Sequence, residues 1–256
     1  MLALERRNQI LKLFQQSETV KVSDLSQRFG VTVETIRRDL DQLELAGHIV
    51  RTHGGAMLST RENTKTEQAS SIRQQTNTAQ KLLIAELIAD MVRDGDDIML
   101  DASSTSLFVA RALRKRKNLT VITSSLEIIL EIANQTDWTI MCSGGVLNEH
   151  TMSFVGNRAE STISKYHVDW AIISCKGVDQ DGFTESNEAS ALVKRSMIES
   201  AKRAILAADS SKFGTMSFVR TGRLQELYAV VTDRKPDQQF LEGLDEIDVA
   251  CIWPDM

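Results

Sequence analysis

The chain has 256 residues, a formal net charge of −5, 42% hydrophobic residues and three cysteines. That length suits two domains, the larger with room for a sizeable core. No apolar run approaches the ~20 residues of a membrane span, and the amphipathic, charged start lacks a secretory pattern, so a cytoplasmic protein without membrane contact is expected. Cys142, Cys175 and Cys251 stand in apolar runs without C-x-x-C spacing, which predicts buried free thiols, no metal site and no cofactor.

Residues 1–60 carry 8 Lys/Arg against 7 Asp/Glu, and the rest 22 against 28. Nucleic-acid affinity in the first part must therefore come from placed charges rather than a polybasic field. Leu4, Ile10, Leu11, Leu13 and Phe14 predict a first amphipathic helix, with Arg6 and Arg7 on its outer side. Val20 and Val22 read as a short extended link. Ser23-Asp24 starts a second helix that turns Leu25 and Phe29 inward, and Gly30 makes the tight turn after it.

Thr32 is placed to cap a third helix, in which Val33, Ile36, Leu40 and Leu43 recur at helical spacing and set the inward face. Glu34, Thr35, Arg38 and Gln42 fall opposite, Arg37 lies on the flank, and Gly47 ends the helix. His48 to His53 alternates like a strand, and Gly54-Gly55 turns it back. Short helices ending in a polar-faced one, then a basic hairpin, are how a winged helix-turn-helix reads a major groove.

The expected DNA-binding residues are Thr32, Glu34, Thr35, Arg37, Arg38, Gln42, Arg51 and His53. Arg38 and Thr35 are expected on base edges, Glu34 toward a cytosine amino group, Arg37 on phosphate and His53 at the wing tip. One such module reads few base pairs, so a homo-oligomer (dimer or tetramer) on double-stranded operator DNA is expected.

Residues 59–78 are polar around an isolated Ile72 and read as a linker. The expected domains are thus 1–58 and 79–256. Ala79 to Val92 predicts a helix with Leu82, Ala85, Ile88, Ala89 and Val92 on one face. Beyond it, short apolar runs at Ile98–Leu100, Leu119–Ile122, Trp138–Met141, Trp170–Ile173, Ala204–Ala207, Leu227–Val231 and Val249–Ile252 alternate with amphipathic helices. That alternation defines an α/β class, with a Rossmann-like, mainly parallel sheet.

Ligands of such sheets bind beyond the carboxyl ends of the strands. Polar residues collect there: Asp101–Thr105, Thr123–Ser125, Gly144-Gly145, Lys176–Asp179 and Asp209–Lys212. A strand, a hydroxyl-rich turn and a helix start at Ser103, Ser104 and Thr105 form a cradle for an anion. Lys212 adds positive charge from another strand end, and a phosphate is the natural occupant. Asp101, Asp179, Glu185, Asn187 and Glu188 are expected to accept from hydroxyls of the ligand, with Ser124 and Lys176 completing its site.

Glu5-Arg6-Arg7-x-x-Ile10-Leu11, Val22-Ser23-Asp24-Leu25, Thr35–Leu40 and His53-Gly54-Gly55-Ala56 together resemble the signature of the DeoR family of bacterial sugar-responsive transcription regulators. Asp101–Thr105, Thr123–Leu126, Gly144-Gly145, Phe154–Gly156, Gly177–Asp179, Glu188-Ala189, Val193-Lys194 and Asp209–Gly214 are similar to that family's effector domain, itself similar to ribose-5-phosphate isomerase.

The resemblance implies a repressor of a carbohydrate-catabolic operon controlled by a phosphorylated sugar, and no enzymatic activity. It departs at Ser103, where the family has glycine, and at Ser124, where it has asparagine. The stretches DASST, SCKGVD and ESNEASALVKRSMIE look most like the regulators of rhamnose and fucose use. The alternative is a sugar-phosphate isomerase fused to a DNA-binding domain. The isomerase's acidic cluster falls on Cys175–Val178, where Lys176 and Gly177 replace the acid that proton transfer needs.

Overall fold

The computed structural model describes residues 3–14, 19–45, 49–52, 54–58, 70–134 and 137–254. Contacts divide the chain into two compact units, Met1–Thr64 and Lys65–Met256.

In the first unit, α1 (Ala3–Leu13), α2 (Val22–Phe29) and α3 (Val33–Leu45) enclose Ile10, Phe14, Leu25, Ile36, Leu40 and Leu43. Strands β1 (Thr19–Lys21), β2 (Ile49–Thr52) and β3 (Gly55–Leu58) form an antiparallel sheet in the order β1-β3-β2. Gly30, at φ 62°, ends α2 with its amide on Ser26 O. This left-handed cap is one that glycine adopts without Cβ strain. The Thr35 amide donates to Thr32 Oγ1 at 3.2 Å, which starts α3 as expected.

Three local expectations are corrected. Val22 opens α2 instead of extending the link. Val33 is exposed, so the inward face of α3 begins at Ile36. Arg6 points inward: its Nε lies 2.5 Å from Asp39 Oδ2, with both side chains buried. A carboxylate carried into this core by α3 requires a paired cation, and Arg6 supplies it.

Gly55 belongs to β3 and not to the turn. A Cβ there would lie 2.1 Å from Val20 O, so only glycine lets β1 close against the hairpin. Gly47, His48 and His53, and the side chains of Leu4 and Arg51, lie outside the described residues.

The second unit is built on β4 (Asp97–Leu100), β5 (Thr120–Thr123), β6 (Thr139–Cys142), β9 (Val168–Ile173), β12 (Ala201–Ala207), β14 (Ala229–Val231) and β15 (Ala250–Ile252). They form one sheet in the order β15-β14-β12-β9-β4-β5-β6, with every pairing parallel. Strand alternation fills two cores. Ile98, Leu100, Ile205 and Ala207 face the side of α5 (Thr78–Met91), α6 (Ser104–Ala112) and α7 (Leu126–Ile132). Met99, Ala204 and Leu206 face the side of α8 (Asn157–Ile163), α9 (Glu188–Glu199) and α10 (Gln238–Glu246).

Several features depart from the expected pattern. Two antiparallel additions interrupt the alternation: the hairpin β7 (Val146–Asn148) with β8 (Ser153–Val155), and the sheet β10 (Gly177–Asp179), β11 (Gly182–Glu185), β13 (Val219–Gly222). Residues 70–75, read as linker, form α4 (Ser70–Gln75). On α5, Leu82 is exposed and the buried face is Ile84, Ala85, Ile88 and Ala89. Cys175 is buried as expected, whereas Cys142 is exposed and Cys251 half-buried, because β6 and β15 are the sheet edges.

Candidate DNA-binding face and effector cavity

On α3, Glu34, Arg38 and Gln42 are exposed beside the capping Thr32, and Thr35 is half-buried beneath them. The hydroxyls of Thr32 and Thr35 share a hydrogen bond of 2.9 Å. Arg37 Nη1 lies 3.4 Å from Glu34 Oε2, with both side chains largely in solvent. An exposed pair of that kind is worth little. Arg51 sits in β2, opposite Ala56 of β3.

In the second unit, strand order reverses between β4 and β9. The turns after these two strands open a crevice at their carboxyl ends. A cavity of about 870 Å³, counting its open mouth, lies there. Of the expected effector residues, Asp101, Ser103, Ser104, Thr105, Ser124, Lys176, Glu185 and Lys212 line it.

Asp179, Asn187 and Glu188 are not part of the lining. Asp179 accepts the Asp181 amide at 2.8 Å in the β10–β11 turn. Asn187 caps α9 by accepting the Ser190 amide at 2.8 Å. Glu188 is exposed on the first turn of α9.

Several lining residues are already engaged. Ser103 caps α6, accepting the Ser106 amide at 3.0 Å. Asp101 accepts from the Ser103 amide (3.1 Å), Ser106 Oγ (2.5 Å) and the Ser174 amide (2.9 Å). Lys194 Nζ lies 2.9 Å from Asp101 Oδ2, donates to Ser174 O at 2.6 Å and pairs with Glu185. Burial alone pulls Lys194 down, but Asp101 and Glu185 outweigh it and raise its pKa above the usual lysine value. Burial likewise pushes Asp101 up, yet Lys194 and the Ser103, Ser106 and Ser174 donors hold it below the carboxylate range. These two carboxylates hold the wall together and are both engaged by Lys194 before a ligand arrives.

The remaining charges are not balanced. Arg73, Lys81, Lys176 and Lys212 all line the cavity, with Asp209 as the other acid. Asp209 is itself engaged, accepting from Asn77 Nδ2 at 3.0 Å and from the Ser211 amide at 3.1 Å. Burial lowers Lys81 to about 8, reinforced by Lys212, Arg73 and Lys176 against the pull of Asp209. Burial lowers Lys176 to about 8 as well, with Lys212 and Arg73 adding repulsion and Glu185 opposing. Cys175 is pushed up to about 12 by burial and by Glu185, which removes it as a thiolate nucleophile.

Arg73, Lys81 and Lys194 were missed as site residues. Lys81 and Lys194 sit within amphipathic helices, where a lysine reads as a solvated face, and Arg73 sits in a stretch without periodicity.

Residues 6–62 match the DeoR-like helix-turn-helix domain and residues 76–234 the DeoR C terminal sensor domain. The chain belongs to the DeoR family. It is 39% identical to the uncharacterized HTH-type transcriptional regulator YulB of Bacillus subtilis, over 96% of this chain and 95% of that protein. It is 36% identical to the transcriptional repressor AccR of Agrobacterium fabrum, over 90% and 89%. It is 35% identical to the L-fucose operon activator of Haemophilus influenzae, over 95% and 97%. Among solved structures, ribose 5-phosphate isomerase A from Methanocaldococcus jannaschii overlaps 52% of this chain and 53% of its own at 18% identity and TM-score 0.39.

Proposed function

We propose that this protein is a transcription regulator, a repressor of a carbohydrate-catabolic operon, released or engaged by a phosphorylated sugar. The observation that carries the effector reading is the charge imbalance of the cavity: Arg73, Lys81, Lys176 and Lys212 beside the N-terminus of α6. The amides of Ser104 and Thr105 occupy the first turn of that helix, where the helix itself provides no acceptor. A phosphate dianion supplies the missing charge, and the Ser104, Thr105 and Ser124 hydroxyls remain to bind the rest of the ligand.

The isomerase alternative needs a free carboxylate, whereas Asp101, Glu185 and Asp209 are all engaged. A product assay on any sugar phosphate that binds separates the two readings.

DNA recognition rests on the outer face of α3. Arg38→Ala is expected to cost about 1–3 kcal/mol of operator binding and to relax preference at one base position. Arg37→Ala is expected to weaken all sequences alike and to reduce the salt slope by about one unit. Gel shifts with the double variant test this placement; normal operator affinity overturns it. For the effector, thermal shifts with a panel of sugar phosphates are expected to single out a stabilising ligand whose unphosphorylated sugar has no effect.

A further inference from the structure

The element that precedes the sensor's first long helix enters the cavity through one side chain. We propose that Arg73 is a ligand-binding residue, and that the anion it takes clamps α4 onto the sensor unit. Occupancy is then felt first by the segment that leads back along the chain to the DNA-binding unit. This inference rests on the proposed anion site and adds to it the route by which binding leaves the cavity.

The geometry is that of an underused guanidinium. Arg73 Nη1 donates to Ala102 O at 3.4 Å and Nη2 to Thr151 O at 3.3 Å, both at the long end of hydrogen bonding. Its Nε is buried and has no hydrogen-bond partner among the described residues. A guanidinium presents five donors in a planar fork that matches phosphate oxygens. Ala102 directly precedes Ser103, the cap of α6. The fork is therefore anchored one residue from the helix start that offers the Ser104 and Thr105 amides.

The hold of α4 on the rest of the unit is mostly polar. Of its residues only Ser70 is fully buried, and Ile72 is half-buried. Ser70 Oγ donates to Glu127, and Gln74 Nε2 donates to Glu127 Oε1 at 2.8 Å. Lys81 Nζ donates to Arg73 O and Thr76 O, each at 2.5 Å, at the carboxyl end of α4. Little apolar area fixes this helix, so each charged contact is a large share of its docking energy. An anion seated between α6, Arg73 and Lys81 bonds the side chain of α4 directly and strengthens the cation that holds its last carbonyls. Arg73, Lys81 and Lys176 line the same cavity, and Arg73 is among the charges that lower both lysines.

The test is hydrogen–deuterium exchange on the full chain, with inorganic phosphate as probe and sodium chloride at matched ionic strength as control. Calorimetry run in parallel reports whether phosphate is bound. Expected are phosphate binding by the wild type and slower exchange, by several-fold, at residues 70–78. Arg73→Gln is expected to bind phosphate about tenfold more weakly and to show no such protection even when saturated; Arg73→Lys is expected to restore part of it. If phosphate binds the wild type and residues 70–78 exchange unchanged, the clamp is overturned and the anion site stands. Full protection in saturated Arg73→Gln also overturns it. If phosphate neither binds nor protects, both the clamp and the anion site fall. Should Arg73→Gln not fold, the wild-type exchange decides.

Discussion

Two clusters of charge share the wall of one cavity and behave oppositely. Around Lys194, one cation faces two carboxylates and every donor is satisfied. Around Lys212, four cations face one carboxylate that is bonded elsewhere. The first cluster resembles the Arg6–Asp39 pair in the other unit in joining distant elements, although its two carboxylates leave one negative charge over. The second is destabilising as it stands, because like charges in a poorly hydrated site repel. A fold keeps saturated charge for architecture and tolerates unsaturated charge where a counter-ion arrives.

The largest test breaks the closed cluster. Lys194→Met leaves Asp101 and Glu185 buried without their cation and is expected to cost about 3–5 kcal/mol. Urea denaturation measures it, and a loss within error of zero removes the distinction between the clusters.

Next in size is the opposite substitution. Lys212→Met deletes one of the repelling charges, so the unliganded sensor is expected to be at least as heat-stable as the wild type. Its affinity for the sugar phosphate is expected to fall ten- to a hundredfold, about 1.5–3 kcal/mol. Operator binding without ligand is expected to persist, and its response to ligand to disappear. Equal ligand affinity in calorimetry counts against the phosphate site.

The smallest effect is the pH dependence. Lys81 and Lys176 titrate near 8 in the folded unit, against the ordinary 10.5 of an unfolded lysine. Between those values the unfolded chain binds more protons, so the stability contributed by these two groups rises with pH across that window. Ligand affinity moves the other way and falls above about pH 8, as the two lysines lose charge. Binding near pH 8 is expected to take up protons, visible as a dependence of calorimetric heat on the buffer's ionisation enthalpy. Lys81→Met with Lys176→Met is expected to flatten the stability profile.

The large periodic elements were legible in the sequence: the three helices of the first unit, the parallel strands, and the turns at Ser103 and Asp209. Side-chain destinations were less so. Arg6 reads as solvated because helical spacing alone says nothing about a carboxylate 33 residues further on that needs it. Asp101 reads as a ligand acceptor because its type fits, but the amide of Ser174 and the ammonium of Lys194 claim it first. The sheet β10-β11-β13 escaped because GVD, GFTE and VRTG carry no apolar run such as marks the equally short parallel strands, and with it went the true neighbours of Glu185 and Asp179. The helix α4 escaped because polar contacts, not an apolar face, hold it.

The seam between β4 and β9 has a consequence for the protein's lifetime. Ile98, Met99 and Leu100 pair with Trp170, Ala171 and Ile172, some seventy residues later in the chain. The cavity straddles that seam, with Asp101 on one lip and Ser174 on the other. A nascent or partly opened chain that has one half of the sheet has only half of the cavity, and on the proposed reading of that cavity cannot hold the effector. Ligand therefore binds the completed fold alone, and the stabilisation grows as the logarithm of its concentration over Kd, by ~2.7 kcal/mol at a hundredfold excess. Proteases that act on transiently opened molecules are slowed to the same degree. Cells rich in the effector would then hold more of the regulator at the same rate of synthesis, so the metabolite would set the regulator's abundance as well as its state.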